Sequence, residues 1–485
     1  MTPEETKQFE ASLEAISSKA KEFGLDFFNM RFEICPADII YTFGAYGMPT
    51  RYSHWSFGKS FHRMKTQYDY NLSRIYELVI NSNPCYAFIL DGNLLIQNKM
   101  VAAHVFAHCD FFKNNQWFRH TSKNMIETMS KNAERIKEYE FKYGRNTVEQ
   151  FLDAAMALQE HIDPSYEIGR TAKNKSSGKT GDASQVAQTP KHDHPPETPY
   201  DDLWNIGVKK PEPVAPGIKK LPADPEKDIL GFIAFHAKDL EDWQRDIIFI
   251  IREEMLYFWP QIETKIMNEG WATLWHSRIM REVEMREDET IEFAKMHAGV
   301  LQTSKTGINP YFLGLKIWED IEKRWDNPSE EDSKKYGRPG GQGREKIFEV
   351  RSTENDISFI RNYLTKELVL ELDLYIFQKV YTKWQIIDTE WEKVREGLVT
   401  LLANGGFPYI VVEDGNFNRN GELYLNHFHE GRDLDLYYLE KTLPYVYLLW
   451  GKTVHLETVA DNNRYVYSYN GDNVQKKHFN KLSSL

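Results

Sequence analysis

Residues 169–226, "GRTAKNKSSGKTGDASQVAQTPKHDHPPETPYDDLWNIGVKKPEPVAPGIKKLPADPE", set the strongest limit on how this chain can fold. The stretch is rich in Pro, Lys, Asp, Ser and Gly and cannot bury enough apolar surface to offset its chain entropy. It is expected to be an extended or disordered insertion, with "YDDLWNIG" able to dock locally. Helical periodicity stands on both sides of it, so it interrupts a helical unit. A second breaker segment, "NPSEEDSKKYGRPGGQG", ends that unit. The expected organisation is a helical first part of the main domain at 1–168 and the insertion at 169–226. The helical second part follows at 227–326, then a linker at 327–345 and a small α+β domain at 346–485. The fold class is α+β, mostly helical in its N-terminal and central parts.

Within these limits the local signals are readable. Thr2 and Glu5 form a capping box before a helix that runs to about Phe23. An aromatic, Gly- and Pro-rich stretch from Ile34 to Phe61 reads as loop, and helical period returns from about His62 to Ile80. "NPCYAFILDGN" reads as a strand with an Asp-Gly turn. "LLIQNKMVAAHVFAHCDFFKNN" has good helix formers and no breaker. Further helices are expected over 122–162 and from 227 to about 325. Near the C-terminus, "YIVVEDGNFNRNGELYLNHFHE" places two alternating strands around Asn420-Gly421, a hairpin signal. A helix over about 433–450 and the strands "TVHLETV" and "RYVYSYN" complete a small sheet with a helix on one face.

The chain's 485 residues suit two or three domains, and its 12 Trp, 26 Tyr and 28 Phe suit packed helical layers or an aromatic-lined cleft. A formal charge of −12 argues against nucleic acid as a main partner. Three cysteines, Cys35, Cys85 and Cys109, are too few for a disulfide framework and fit a reducing compartment. The charged N-terminal helix lacks a signal-peptide core, and no apolar run approaches the ~20 residues of a membrane span. A cytoplasmic protein without membrane partners is expected.

The chemistry centres on "AAHVFAHCDFF". His104 and His108 stand four apart on one helix face, where two imidazoles can meet one divalent ion. The spacing is that of H-E-x-x-H, but Val105 occupies the position of the glutamate base. Two buried, hydrogen-bonded histidines account for the same pattern. In "NEGWATLWH", Glu269 is followed by the small Gly270 and Ala272, as is the third ligand of gluzincin metalloproteases on a later helix. His276 is two turns on, about 10.5 Å along the axis. Glu269 is thus the candidate ligand, and His276 a candidate acid, substrate contact or group that holds a ligand from behind. Zinc is the first expectation, with iron and manganese as alternatives, because a 2-His-1-carboxylate set also suits non-heme iron. Without a glutamate at 105, the side chains of suitable type for a base are Asp110, His120, Glu292 and His297. His427 and His429 read as part of a charged strand edge, and "RPGGQG" lacks the features of a phosphate loop.

The segments "RYSHWSFGKSF", "YELVINSNPCYAFILDGN", "MVAAHVFAHCDFFKNNQWF", "PQIETKIMNEGWATLWH", "NPYFLGLKIWEDIEKRW" and "GELYLNHFHEGRDLDLYYLEKTL" closely resemble the SpoVR family, in order from about residue 50 to 458. The resemblance implies a link to spore cortex formation or to stress physiology. It implies partnership with a PrkA-type serine kinase and a further associated protein. It also puts His104, His108, Asp110, Glu269 and His276 in characteristic motifs, with His54 and Trp55 of "SHW" expected to line the same cleft. Cys109 stands where a polar residue such as Asn is expected. Two function classes follow: a metal-dependent hydrolase-like enzyme with a gluzincin-like site lacking its glutamate base, and a non-catalytic adaptor in a kinase pathway. An iron-dependent oxidoreductase is a third.

Overall fold

A computed structural model describes residues 2–70, 72–165, 220–303, 307–380 and 383–478. The expected insertion lies outside the described residues up to position 219. Its last residues run beside the C-terminal sheet, where Glu226 pairs with Val412 and the Leu221 carbonyl accepts from the Gly415 N–H.

The first half opens with α1 (Pro3–Glu22), closed at its start by the Thr2/Glu5 capping box. Then come β1 (Met30–Cys35), α2 (Ala37–Tyr46) and α3 (Trp55–Asp69). β2 (Glu77–Ile80) and β3 (Cys85–Leu90) follow. The helical period expected over His62–Ile80 therefore breaks after Asp69, and its apolar end is a strand. The sheet order is β1-β3-β2, with β1 parallel and β2 antiparallel to β3. The stretch read as loop contains α2, whose exit at Gly47 (φ 75°) uses the left-handed region open to glycine.

α4 (Leu95–Asn114) is buried on every face from Ile96 to Phe112, as an apolar helix without a polar stripe must be. α5 (Met125–Tyr143) and α6 (Arg145–Met156) complete this half. Beyond the insertion come α7 (Ile229–His236), α8 (Asp242–Glu263), α9 (Lys265–Glu282), α10 (Glu287–Val300) and α11 (Pro310–Asp326). The breaker segment holds α12 (Glu330–Tyr336), followed by α13 (Gly343–Thr353), α14 (Asp356–Tyr363) and α15 (Lys366–Glu371). A hairpin of β4 (Ile376–Val380) and β5 (Lys383–Asp388) leads into α16 (Trp391–Leu402).

The C-terminal sheet contains β6 (Ile410–Phe417), β7 (Glu422–His427), β8 (Val454–Ala460), β9 (Asn463–Tyr469) and β10 (Val474–His478), in the order β10-β9-β8-β7-β6. β6 and β7 form the hairpin expected around Asn420-Gly421. α17 (Leu436–Trp450) crosses from β7 to the parallel β8, as a parallel pair requires.

Apolar burial forms two large clusters. The first joins α1, β3, α4, α9, α11 and the helices at 343–402. The second joins α6, α7 and α8 to the C-terminal sheet and α17. Residues 343–402 thus pack with the helices that precede the breaker segment, while the sheet packs on α6–α8.

The functional region lies in the first cluster, where α9 crosses both α4 and α11. α9 and α11 meet at Gly270 and Gly314: a Cβ on Gly270 would lie 2.3 Å from the Gly314 carbonyl carbon, and one on Gly314 would lie 2.1 Å from the Ile266 oxygen. Two glycines let the backbones touch. That contact sets the distance between Glu269 on one helix and Tyr311 on the other.

Candidate metal centre

On α4, positions 104 and 108 are one turn apart, so the two imidazoles project from the same face, with their rings edge to face at 90°. α9 brings Glu269 opposite them. His104 Nε2 and His108 Nε2 lie 3.0 Å apart, and Glu269 Oε2 lies 3.6 Å from the first and 3.4 Å from the second. Ligand atoms of the three residues all fall within 4.8 Å of one another. A tetrahedral ion with bonds of about 2.0–2.2 Å holds its ligand atoms about 3.3–3.6 Å apart. Two of the three separations match, and the third requires the rings to part by roughly 0.4 Å.

The far sides of both rings are engaged. His108 Nδ1 is 2.8 Å from Asn268 Oδ1, an oxygen that can only accept, so Nδ1 carries the proton and Nε2 presents its lone pair. His104 Nδ1 is 3.0 Å from His276 Nδ1, and His276 Nε2 is 2.9 Å from His297 Nδ1. With Nε2 of His104 as a ligand, this row is satisfied by N–H donation from His104 to His276 to His297. Ring-nitrogen partners of this kind orient metal-binding imidazoles. In that arrangement two lone pairs and a carboxylate point at one place. Glu269 Oε2 is buried there without a hydrogen-bond partner. Three acceptors facing one another make a donor set of the kind that suits one divalent cation.

Burial, opposed by Glu269, holds His104 below the usual imidazole range, with His108 adding to the depression. Burial and the neighbouring imidazoles His104 and His297 drive His276 well below it. His108 is raised, because Glu269 and Asn268 overcome the cost of burying its charge. Burial opposes ionisation of Glu269, yet the imidazoles of His104 and His108 beside it hold its carboxyl far below the usual carboxylate range. The Tyr311 hydroxyl interacts with Glu269 and is raised by burial and that negative charge. Its ring stacks on His104 at 6.0 Å between centroids and 23° between planes.

The cluster borders a cavity of about 580 Å³ lined by Tyr76, Glu77, Gln97, Met100, Val101, His104, His276, Tyr311 and, from α10, Glu292, Lys295, Met296, Gly299 and Val300. Glu77 comes from β2, inside the segment "YELVINSNPCYAFILDGN" that carries part of the family resemblance, but no spacing to the histidine pair singles it out. Burial and the nearby Glu269, opposed by His108, push its carboxyl up to about 7.

Other sequence-derived candidates stand elsewhere. Asp110 faces away from the histidine pair. Its carboxylate accepts from the Asp26 N–H at 2.8 Å and Trp271 Nε1 at 2.9 Å, and it pairs with Arg351 at 3.0 Å. It ties α4 to α9 and α13 and has no place in proton transfer at the cavity. His54 is the N-cap of α3, with Nε2 3.2 Å from Asp153, and Trp55 Nε1 donates to the same carboxylate at 2.7 Å. Neither lines the cavity. His120 is exposed in the turn after the short helix Gln116–Phe118 and does not line it either. His297 reaches the site through His276, and Glu292 through the α10 wall. Val105, in the position of the missing glutamate, is fully buried in the apolar core. His427 bonds Thr458 and His429 bonds Asp433, at the strand edge expected for them.

Comparison with known proteins bears on the whole chain. Residues 3–407 match the family described as "SpoVR like protein", and residues 408–461 match "SpoVR-like C-terminal domain". A curated relative, "Uncharacterized protein YcgB" of Escherichia coli (strain K12), is 29% identical over 472 residues, covering 92% of this chain and 90% of its own length. No solved structure matches. The boundary between the two family regions falls where the chain leaves the first core for the C-terminal sheet.

Proposed function

The chain belongs to the SpoVR family, and from that premise we propose that it is a metal-dependent enzyme with a hydrolase-type site between α4 and α9. His104, His108 and Glu269 would hold one divalent ion, zinc in the first place, with iron or manganese as alternatives. One observation carries the reading: two imidazole Nε2 atoms and an unpartnered buried carboxylate oxygen converge beside a cavity. Such an ion, when bound, polarises a carbonyl and lowers the pKa of water.

The protein's own residues do the remaining work. Asn268 and His276 hold the two rings with Nε2 forward. Tyr311 carries a neutral hydroxyl beside Glu269, a donor for the oxygen of a carbonyl substrate. Met100, Val101, Met296 and Val300 give the cavity an apolar wall. Spore cortex formation or stress physiology, in the cytoplasm, is the setting proposed for this activity; no helix among the described residues is long and apolar enough to cross a membrane.

Metal analysis of protein purified without chelators tests the reading. Wild type is expected to hold about one equivalent of a divalent metal per chain. His104→Ala, His108→Ala and Glu269→Gln should each lose it with unchanged far-UV circular dichroism. A wild-type protein without stoichiometric metal sinks the reading; an iron content with a paramagnetic signal would turn it towards an oxidoreductase.

A second reading, an adaptor in a PrkA-type serine kinase pathway, draws on Val105 in the base position and on the exposed Tyr437, Tyr438, Tyr445 and Leu448 of α17. A kinase that co-purifies equally well with the three ligand variants would favour it.

A further inference from the structure

Val105 leaves the histidine pair without the carboxylate that takes a proton from water in a hydrolase with this ligand set. The fold offers one from another element. We infer that Glu77, on β2, is the general base of the site, reaching the cavity from the sheet instead of from the helix that carries the histidines. This inference rests on the metal-dependent reading above.

Side chains alternate along a strand, so Glu77 and Val79 share one face of β2. Val79 packs against the first core, which contains α4 and α9. Glu77 is thereby turned to the same side, and it lines the cavity together with His104, His276 and Tyr311. The groups that face it are His108 on α4, Glu269 on α9 and Tyr311 on α11, with Glu292 and Lys295 on α10 across the same cavity. The Glu77 backbone pairs with Ile89 of β3, while among the described residues its side chain makes no ion pair or hydrogen bond and is left for the cavity.

The step balances within the site. Glu77 takes a proton from water as the water oxygen adds to the acyl carbon of an amide or ester. The same carboxyl then returns that proton to the departing nitrogen or oxygen. One water is consumed, and a carboxylic acid and an amine or alcohol are released.

Acetohydroxamic acid is a direct probe, because a hydroxamic acid binds zinc as its anion and needs a neighbouring carboxylate to receive its proton. Zinc-loaded wild type, Glu77→Gln and Glu292→Gln would be titrated calorimetrically near neutral pH. All three are expected to take up zinc equally. Glu77→Gln should bind the hydroxamate about 10- to 100-fold more weakly, the usual range for losing a hydrogen bond to a charged group. Glu292→Gln should match wild type. Equal binding by Glu77→Gln, weakened binding by Glu292→Gln alone, loss of zinc in Glu77→Gln, or a zinc-loaded wild type blind to the probe would each overturn the assignment. Failure of wild type to bind zinc would instead remove the metal-dependent reading on which it rests.

Discussion

Asn268 is the residue on which the orientation of His108 turns, since its Oδ1 is the 2.8 Å partner of the ring's Nδ1. Asn268→Leu keeps similar bulk and removes the acceptor, leaving a buried N–H unpaired and the ring free to turn. Zinc affinity is expected to fall about 10- to 100-fold with no change in circular dichroism, measured by competition with a chromogenic chelator. Unchanged affinity would mean that the ring is held by packing alone. The histidine pair and Glu269 were legible from spacing and from the small residues beside the glutamate. Asn268 carried no signal beyond adjacency. Asp110 was misleading for a geometric reason: two residues past His108 is about 200° around the helix, which aims it at Trp271 and Arg351 and away from the cavity.

At the scale of the element, α9 depends on a cap supplied from far along the chain. Asp356, at the start of α14, accepts from the N–H groups of Ile266 and Met267 at 2.8 and 2.9 Å. Burial outweighs those donors and pushes its carboxyl from 3.8 up to about 7. The folded state therefore binds this proton more tightly than the unfolded state between those values. Its contribution to stability is complete at the acid end and is lost as pH rises towards about 7. Urea unfolding at mildly acidic and mildly alkaline pH should show wild type losing on the order of 2 kcal/mol more than Asp356→Asn over that interval. Equal losses would contradict it. Helices with strong apolar periodicity, and the Asn420-Gly421 hairpin, were readable locally. β2 was not: its apolar run continues the pattern of the preceding helix, and only pairing with β3 makes it a strand.

For the whole molecule, the C-terminal sheet completes a core that begins in α6, α7 and α8. Val412, Leu423 and Leu425 of the sheet pack in one cluster with Phe151, Leu152, Ile229 and Phe232. A chain ending at residue 407 would leave those helical faces bare. It is expected to self-associate and to melt well below the full chain, checked by size-exclusion chromatography and calorimetry. A monomeric truncation with the full-length melting temperature would show that the second core stands without the sheet. The family boundary at 407/408 thus divides the sequence more cleanly than it divides the packing.

By itself the sequence determined the α+β class, the family, the helix that carries the histidine pair and the absence of a glutamate beside it. The family follows from the resemblance of segments spread from about residue 50 to 458, and the others from short-range periodicity and residue chemistry, which act within a few turns. Tertiary structure alone decided which distant groups share the cavity: Glu77 from a strand, Asn268 and His276 behind the two rings, and Tyr311 across a Gly270–Gly314 contact. The physical reason is that a site between elements depends on how closely and at what angle they cross. That is set by packing summed over the whole core, and no window of sequence contains it.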